Sequence, residues 1–282
     1  MPGSEPLPSF YLPARAVLLW LQFDGSDFCG FQRQGELRTV QGEFERAWQT
    51  FIGEPARIRS SSRTDSGVHA RRMPLCVRTD AQVPLRGLVL GLNTHLPPDL
   101  AVQAGEEMPV AFDVRADSVG KRYVYRMVTA AARAPLLART AWHVPGRVDV
   151  AAMREAAAHF IGVHDFSAFR AAACSATSTV REMRAVEVAT DGSLLTVTVE
   201  GNAFLHNMVR IMCGTLVDIG RGRFSPDDLP AMLTSSDRKR AGQTAPPHGL
   251  TLDDVFYGPP GARQGMAHKA LLCGMTREIE IR

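Results

Sequence analysis

Apolar positions in the first 115 residues follow two spacings, one typical of strands and one of helices. Residues 16–23 form a continuous apolar run of strand length, which ends at a polar turn beginning with Asp24. Residues 40–53 carry apolar side chains at helical spacing, and Gly53 is well placed to end the helix. The predicted order is strand, helix, strand, strand, helix, strand, at residues 16–23, 40–53, 56–60, 73–79, 84–92 and 100–103.

The same order of spacings returns between residues 122 and 257. Asp149 precedes an alanine-rich helical stretch as its N-cap, and Asp191-Gly192 joins two alternating runs as a hairpin. The predicted elements are strands at 122–129, 180–190, 194–199 and 252–257, and helices at 150–161, 204–219 and 226–233. The repetition predicts an α+β protein with two βαββαβ-like halves, in which helices cover one face of a mainly antiparallel sheet.

Proline and glycine mark the ends of the folded part. Four prolines and no apolar periodicity predict a flexible N-terminal arm at residues 1–14, and residues 259–282 read as a C-terminal tail. Between them, a boundary within residues 112–121 divides an N-terminal α+β domain at 15–115 from a C-terminal α+β domain at 116–258.

Composition narrows the class of protein. The 282 residues are 45% hydrophobic and 22% charged, as expected for a folded globular chain. The five cysteines include no Cys-x-x-Cys pair, which predicts free thiols in a reducing cytoplasm. No apolar run has the length of a membrane span, and the proline-rich start does not match a signal peptide.

The formal net charge of +3 permits a polyanionic partner without requiring one. Basic residues do form local clusters, which become candidate phosphate contacts only if nucleic-acid binding is supported by other residues. The clusters are Arg71-Arg72, Arg181 with Arg184, Arg221 with Arg223, and Arg238-Lys239-Arg240.

Residues 60–70 crowd small, polar and charged side chains directly after a predicted strand. Asp65 lies among them, either as a reactive carboxylate or as the first residue of an Asx-turn beside Gly67. His69 and the neighbouring serines do not indicate a hydrolase triad, since no Gly-x-Ser-x-Gly surrounds these serines and contiguous residues rarely converge as a triad.

Two further positions carry candidate chemistry. In the predicted helix 204–219, Asn207, Arg210 and Gly214 form a narrow polar strip, so Arg210 either pairs with an acidic residue or extends to solvent. In the predicted strand 122–129, Tyr123 lies on one face, where it either packs in the core or stacks on a nucleic-acid base. No phosphate-binding glycine loop and no metal-ligand spacing is present, so neither a cofactor nor a metal is expected.

The string Ser-Arg-Thr-Asp-Ser-Gly-Val-His-Ala at residues 62–70 is accompanied by other segments in a recognisable order. They are Phe23-Asp24-Gly25-Ser26, Gly30-Phe31-Gln32-Arg33-Gln34, Leu92-Asn93-Thr94-His95-Leu96-Pro97, Phe112-Asp113-Val114-Arg115, Lys121-Arg122-Tyr123-Val124-Tyr125, His164-Asp165-Phe166-Ser167-Ala168-Phe169 and Phe204-Leu205-His206-Asn207-Met208-Val209-Arg210. Over residues 16–257 this set resembles the tRNA pseudouridine synthase A family.

The resemblance implies a pseudouridine synthase fold with its active-site cleft between the two halves. It implies a cofactor-free and metal-free cytoplasmic isomerase, acting as a homodimer on uridines 38–40 of the tRNA anticodon arm. By matching positions, Asp65 becomes the catalytic aspartate, Arg210 its partner and Tyr123 the residue that packs on the target base. Arg63 holds or replaces the flipped nucleotide, Leu250 lines the base pocket, and Asn207 is a further substrate-binding candidate.

The reaction explains the residue types. The N1–C1′ bond of uridine must break, the uracil must turn, and C5 must join C1′. A carboxylate that is ionised at neutral pH can attack C1′ or remove a proton from C2′. Ser62 and Ser66 replace the glycine and alanine that are usual in the family. A tRNA-binding protein without chemistry, or a synthase with another target uridine, would share many of these features.

Overall fold

The computed structural model describes residues 15–172, 174 and 176–258. The predicted arm 1–14 and tail 259–282 therefore lie outside the described residues. Elements of the first half are strands β1 (Arg15–Phe23), β2 (Arg57–Ser60), β3 (His69–Thr79) and β4 (Leu100–Met108), with helices α1 (Val40–Ile52) and α2 (Leu85–Asn93).

The second half repeats this order with two short strands and one short helix added. Its strands are β5 (Ser118–Val128), β6 (Trp142–His143), β7 (Gly162–Asp165), β8 (Val180–Asp191), β9 (Leu194–Gly201) and β10 (Leu250–Tyr257). Its helices are α3 (Val150–Ala158), α4 (Met208–Gly220) and α5 (Asp228–Thr234). The predicted α+β class and the repeat of helices and strands are confirmed.

The described strands form one sheet in the order β4-β1-β3-β10-β5-β9-β8-β7, with β2 also paired to β3 and β6 to β5. All pairs are antiparallel except β10 with β3 and β5 with β6. The last strand, β10, lies between β3 of the first half and β5 of the second. The two halves are thus joined through the middle of the sheet.

Local sequence signals account for several element ends. The side chain of Thr39 accepts a hydrogen bond from Gly42 N–H at the start of α1, and Gly53 ends that helix at φ 88°. Asp149 caps α3 through Ala152 N–H, as its position predicted. Gly192 (φ 57°) makes the predicted turn between β8 and β9.

All five helices among the described residues contribute to one main core. Alternate residues of β1, including Val17, Leu19 and Leu21, face this core, while Ala16, Leu18 and Trp20 join a smaller apolar cluster on the other face. Burial on both faces explains why β1 is a continuous apolar run rather than an alternating one. Helix α4 is buried along most of its length, including the side chain of Asp218.

Several predictions differ from the structure. Strand β4 continues to Met108 rather than residue 103, and β5 begins at Ser118 rather than residue 122. The helix predicted at 204–219 begins only at Met208, because Asn207 adopts a left-handed backbone with φ 61°. Strand β3 starts at His69 rather than residue 73, since Arg71 and Arg72 interrupt the apolar pattern. Strands β6 and β7 were not predicted, because two and four residues are too short to show a period.

Candidate active site

The loop that carries Asp65 connects β2 to β3 and is held in place by its own backbone. Val68 N–H donates to Asp65 O over 3.1 Å, and Gly67 takes φ 77° within this turn. Phe31 N–H donates to Thr64 O over 3.1 Å, and Ser66 Oγ donates to Phe28 O over 3.2 Å. The loop therefore packs on the segment that follows β1, which fixes the direction of the Asp65 side chain.

The Asp65 carboxylate contacts two basic side chains from the second half. Its Oδ2 lies 3.5 Å from Arg210 Nη1, and its Oδ1 lies 3.3 Å from His206 Nε2, which forms an ion pair only when the imidazole is protonated. The Asp65 side chain is 28% exposed. The carboxylate is thus supported by charge on one side and open to solvent on another.

Arg210 is held by more than its contact with Asp65. Its Nε donates to Ala245 O and its Nη1 to Asn207 Oδ1, each over 2.8 Å, and the side chain is only 15% exposed. The left-handed residue Asn207 separates His206 from the first turn of α4, and this turn of the backbone lets His206 and Arg210 approach the same carboxylate. Of the two alternatives for Arg210, the structure has the acidic partner.

Tyr123 lies beside this pair on β5. It is buried, and its ring meets Phe204 edge to face with centroids 5.0 Å apart. Burial raises the pKa of Tyr123 well above its usual value, and the negative charge of Asp65 raises it further, so the phenol stays protonated. Leu250 is also buried and pairs across the sheet with Tyr125.

Lys121 approaches the same loop from β5. Its Nζ donates to Ser61 O over 2.8 Å. Burial, and then repulsion from Arg115, lower the pKa of this lysine to about 8. The hydroxyls of Ser61, Ser62 and Thr64 are buried, and those of Ser62 and Ser61 lie against the phenols of Tyr123 and Tyr257.

Residues 245–249, which precede β10, form a second support for the site, here called the carbonyl segment. Three of its backbone oxygens accept hydrogen bonds: Ala245 O from Arg210 Nε over 2.8 Å, Pro246 O from Tyr125 Oη over 2.7 Å, and His248 O from His69 Nε2 over 3.0 Å. The ring of Pro247 packs on Gly67, where an added Cβ would lie 3.0 Å from its Cγ. The segment therefore touches both the Asp65 loop and Arg210.

The structure brings together most of the residues singled out from the sequence. Asp65, Arg210 and Asn207 form one connected group, with Tyr123 next to it. Arg63 is exposed beside Asp65 in the same loop. The contact of His206 with Asp65 and the carbonyl segment were not predicted. The Pro246-Pro247 pair, two successive residues without N–H groups shortly before β10, was the available signal for the segment.

Most arginines of the basic clusters form ion pairs or hydrogen bonds with other residues of the protein. Several pair with nearby carboxylates or with backbone oxygens: Arg71 with Asp253, Arg72 with Asp254, Arg184 with Glu182, Arg223 with Asp218, and Arg238 with Gly242 O. Lys239 and Arg240 are exposed. Of these side chains, Arg71 and Arg223 are more than half exposed, at 52% and 65%, and so remain accessible to a phosphate.

Two other classes of feature, a metal cluster and a membrane span, are absent from the described ranges. Within 15–172, 174 and 176–258, no group of three or more His, Cys, Asp or Glu side chains is placed to hold a metal ion. Over the same ranges, no helix has the length and apolar character needed to cross a membrane. The arrangement that remains is a carboxylate held by a guanidinium, next to a buried tyrosine ring, which suits reaction at an electrophilic or acidic carbon.

Comparisons with known proteins point to one family. A family profile described as tRNA pseudouridine synthase matches residues 156–258. The protein named tRNA pseudouridine synthase A from Geotalea uraniireducens (strain Rf4) is 44% identical over 243 residues, which cover 86% of this chain and 100% of the relative. Its namesake from Geobacter sulfurreducens is 45% identical with the same coverage. The one from Myxococcus xanthus is 44% identical over 250 residues, covering 88% of this chain and 94% of the relative.

Proposed function

The chain belongs to the tRNA pseudouridine synthase A family, and we infer that it converts uridine in the anticodon arm of tRNA to pseudouridine with Asp65 as the reacting carboxylate. One observation carries the choice of residue. Asp65 is the carboxylate in the motif loop that meets a half-buried arginine, Arg210, over 3.5 Å and itself remains 28% exposed. The target uridines are those at positions 38–40.

Asp65 is suited to the two routes open to a carboxylate. In the first route Asp65 forms an ester to C1′ as the N1–C1′ bond breaks, and this ester bond breaks when C5 bonds to C1′. In the second route Asp65 takes the C2′ proton as the N1–C1′ bond breaks, and C2′ regains a proton when C5 bonds to C1′. The hydrogen on C5 leaves as a proton, N1 gains a proton, and no other atom is gained or lost. Arg210 favours the ionised carboxylate and directs it, because its own position is set by Ala245 O and Asn207 Oδ1.

Tyr123 and Leu250 are proposed to hold the detached uracil. A flipped base costs a few kcal/mol in lost stacking, and packing on an aromatic ring recovers about 1–3 kcal/mol. The raised pKa of Tyr123 keeps its phenol neutral next to Asp65, which avoids a second negative charge in the pocket. Exposed Arg63 contacts the RNA beside the flipped nucleotide, and Asn207 binds substrate while it orients Arg210.

Loss of tritium from uridine C5 tests this proposal directly. A tRNA labelled at C5 must release the label to water on isomerisation, whereas binding alone releases nothing. We expect Asp65→Asn to reduce release to the uncatalysed background while tRNA affinity is retained. Asp191→Asn, at an exposed hairpin, is the matched control and should keep the wild-type rate.

Two results would contradict the proposal. Turnover by the Asp65→Asn protein would remove Asp65 from the chemistry. Absence of release by the folded wild-type protein from every anticodon-arm uridine would favour a tRNA-binding protein without catalysis. Transcripts with uridine at only one of positions 38, 39 or 40 separate the proposed target from other uridines.

We also propose that the protein is a cytoplasmic homodimer in which one tRNA contacts both subunits. The support is family membership, because the resemblance to this family implies a homodimer. Light scattering of the purified full chain should give twice the mass of the 282-residue chain. A monomer mass at concentrations where the protein is fully active would contradict the dimer.

A further inference from the structure

We propose that His69 is a positioning residue, which sets the distance between Asp65 and Arg210 by tying the Asp65 loop to the carbonyl segment. The inference rests on the proposed role of Asp65. In the structure, His69 forms no hydrogen bond or ion pair with Asp65 or Arg210. It acts on the Asp65 carboxylate through the backbone segments that hold Asp65 and Arg210.

The imidazole of His69 is buried and held at both nitrogens. Its side chain is 6% exposed. Gly25 N–H donates to Nδ1 over 3.0 Å. Nε2 donates to His248 O over 3.0 Å, because a carbonyl oxygen can only accept. His69 therefore joins the segment after β1 to the carbonyl segment before β10.

The Asp24 carboxylate also lies next to Nδ1 of His69. Its Oδ1 is 3.1 Å from His69 Nδ1 and also accepts from Ser26 N–H over 3.0 Å. Its Oδ2 accepts from Arg139 Nε over 2.9 Å. The Asp24 carboxylate thus has other donors as well, and the bond from His69 Nε2 to His248 O does not depend on Asp24.

His69 is connected to Asp65 by a short and rigid path. Residues 65 to 68 form the turn closed by Val68 N–H and Asp65 O, and His69 follows as the first residue of β3. At its start, β3 pairs with β10 through His69 and Thr251. A shift of His69 relative to the carbonyl segment therefore moves the whole turn, including Asp65.

Arg210 is hydrogen-bonded to the other end of the carbonyl segment, at Ala245. Its Nε donates to Ala245 O, three residues before His248, and Ala245 N–H donates back to Arg210 O over 3.1 Å. Pro246 and Pro247 stand between these contacts and restrict the backbone dihedrals there. The Asp65–Arg210 separation is therefore set by a stiff spacer whose one end is held by Arg210 and the other by His69.

Two substitutions separate the contacts of His69. In His69→Asn the side-chain amide reaches the place of Nδ1, so an acceptor for Gly25 N–H is kept and the donor to His248 O is lost. In His69→Gln the amide reaches the place of Nε2, so the donor to His248 O is kept. We expect His69→Asn to lower the single-turnover rate of C5 tritium release roughly 10- to 100-fold with tRNA affinity unchanged, and His69→Gln to restore most of that rate.

The urea denaturation midpoint is measured for each variant alongside the rate. If both variants lose rate in proportion to lost stability, or if both keep the wild-type rate, His69 is not a positioning residue. Pro247→Gly provides a test that leaves His69 intact, should His69→Asn fail to fold. It loosens the spacer and should also lower the rate with tRNA affinity unchanged, and a wild-type rate would overturn the proposal.

Asp65→Asn is assayed in the same experiment. If Asp65→Asn is inactive and the His69 and Pro247 variants behave as the wild type, only the positioning role fails. If Asp65→Asn is active, the proposed function of Asp65 fails, and the positioning role fails with it.

Discussion

Substitution of Gly214 by alanine is expected to disturb the site by moving Gln243, which lies two residues before the start of the carbonyl segment. Gly214 is buried in α4, where an added Cβ would lie 1.9 Å from Gln243 O and 2.8 Å from Gln243 C. Ordinary contacts of this kind begin at 3.4 Å. The backbone at Gln243 must therefore move by about 1.5 Å, since it is main chain and cannot rotate away.

The energetic cost follows from what holds residues 242–245 against α4. Gly242 N–H donates to Thr215 Oγ1, Gln243 N–H to Asp218 Oδ2, and Ala245 N–H to Arg210 O, over 2.9, 3.1 and 3.1 Å. Each bond contributes about 1 kcal/mol, and alanine returns about 1 kcal/mol through its higher helix propensity. We expect a net loss of about 2 kcal/mol in the free energy of unfolding, within the usual range for overpacking.

Activity should fall further than stability alone would explain, because Ala245 O moves away from Arg210 Nε. Urea denaturation and single-turnover tritium release measure the two effects. Gly87→Ala is the matched control, since Gly87 also lies in a helix but its nearest neighbour is the Cγ1 of the Val83 side chain at 3.2 Å. A Gly214→Ala protein as stable and active as the wild type would refute the role assigned to this close contact.

Three more predictions concern single side chains. Lys121→Met should raise the free energy of unfolding at pH 7. The buried lysine charge destabilises the native state, since burial lowers its pKa from 10.5 to about 8. Between pH 8 and 10 the wild type should gain stability as the native lysine loses a proton that the unfolded chain keeps, and the variant should lack this gain in urea titrations at each pH. Tyr123→Leu should weaken binding of a tRNA with a flipped uridine roughly 5- to 150-fold while Tyr123→Phe does not, and equal titration curves would contradict base packing. Arg63→Ala should reduce the slope of log affinity against log salt by about 0.7–0.9, and an unchanged slope would mean no phosphate contact.

Local patterns were sufficient where an element is defined by its own residues. The apolar run at residues 16–23 indicated strand β1, and Gly53 was expected to end helix α1, as it does. The loop containing Asp65 and the polar strip with Asn207 and Arg210 were also visible in the sequence. Each of these signals spans a few residues, because capping, turn formation and side-chain periodicity act over one or two turns of backbone.

The tertiary structure alone decided which of these parts meet. Asp65 and Arg210 are 145 positions apart, and no local spacing predicts their 3.5 Å contact. The start of α4 depends on the left-handed backbone of Asn207, which brings His206 to the carboxylate. The carbonyl segment is defined by backbone oxygens, which every residue has, so side-chain identity cannot reveal it. The sequence by itself determined the elements and the reactive residue types, and the pairing of β10 between the two halves determined the site.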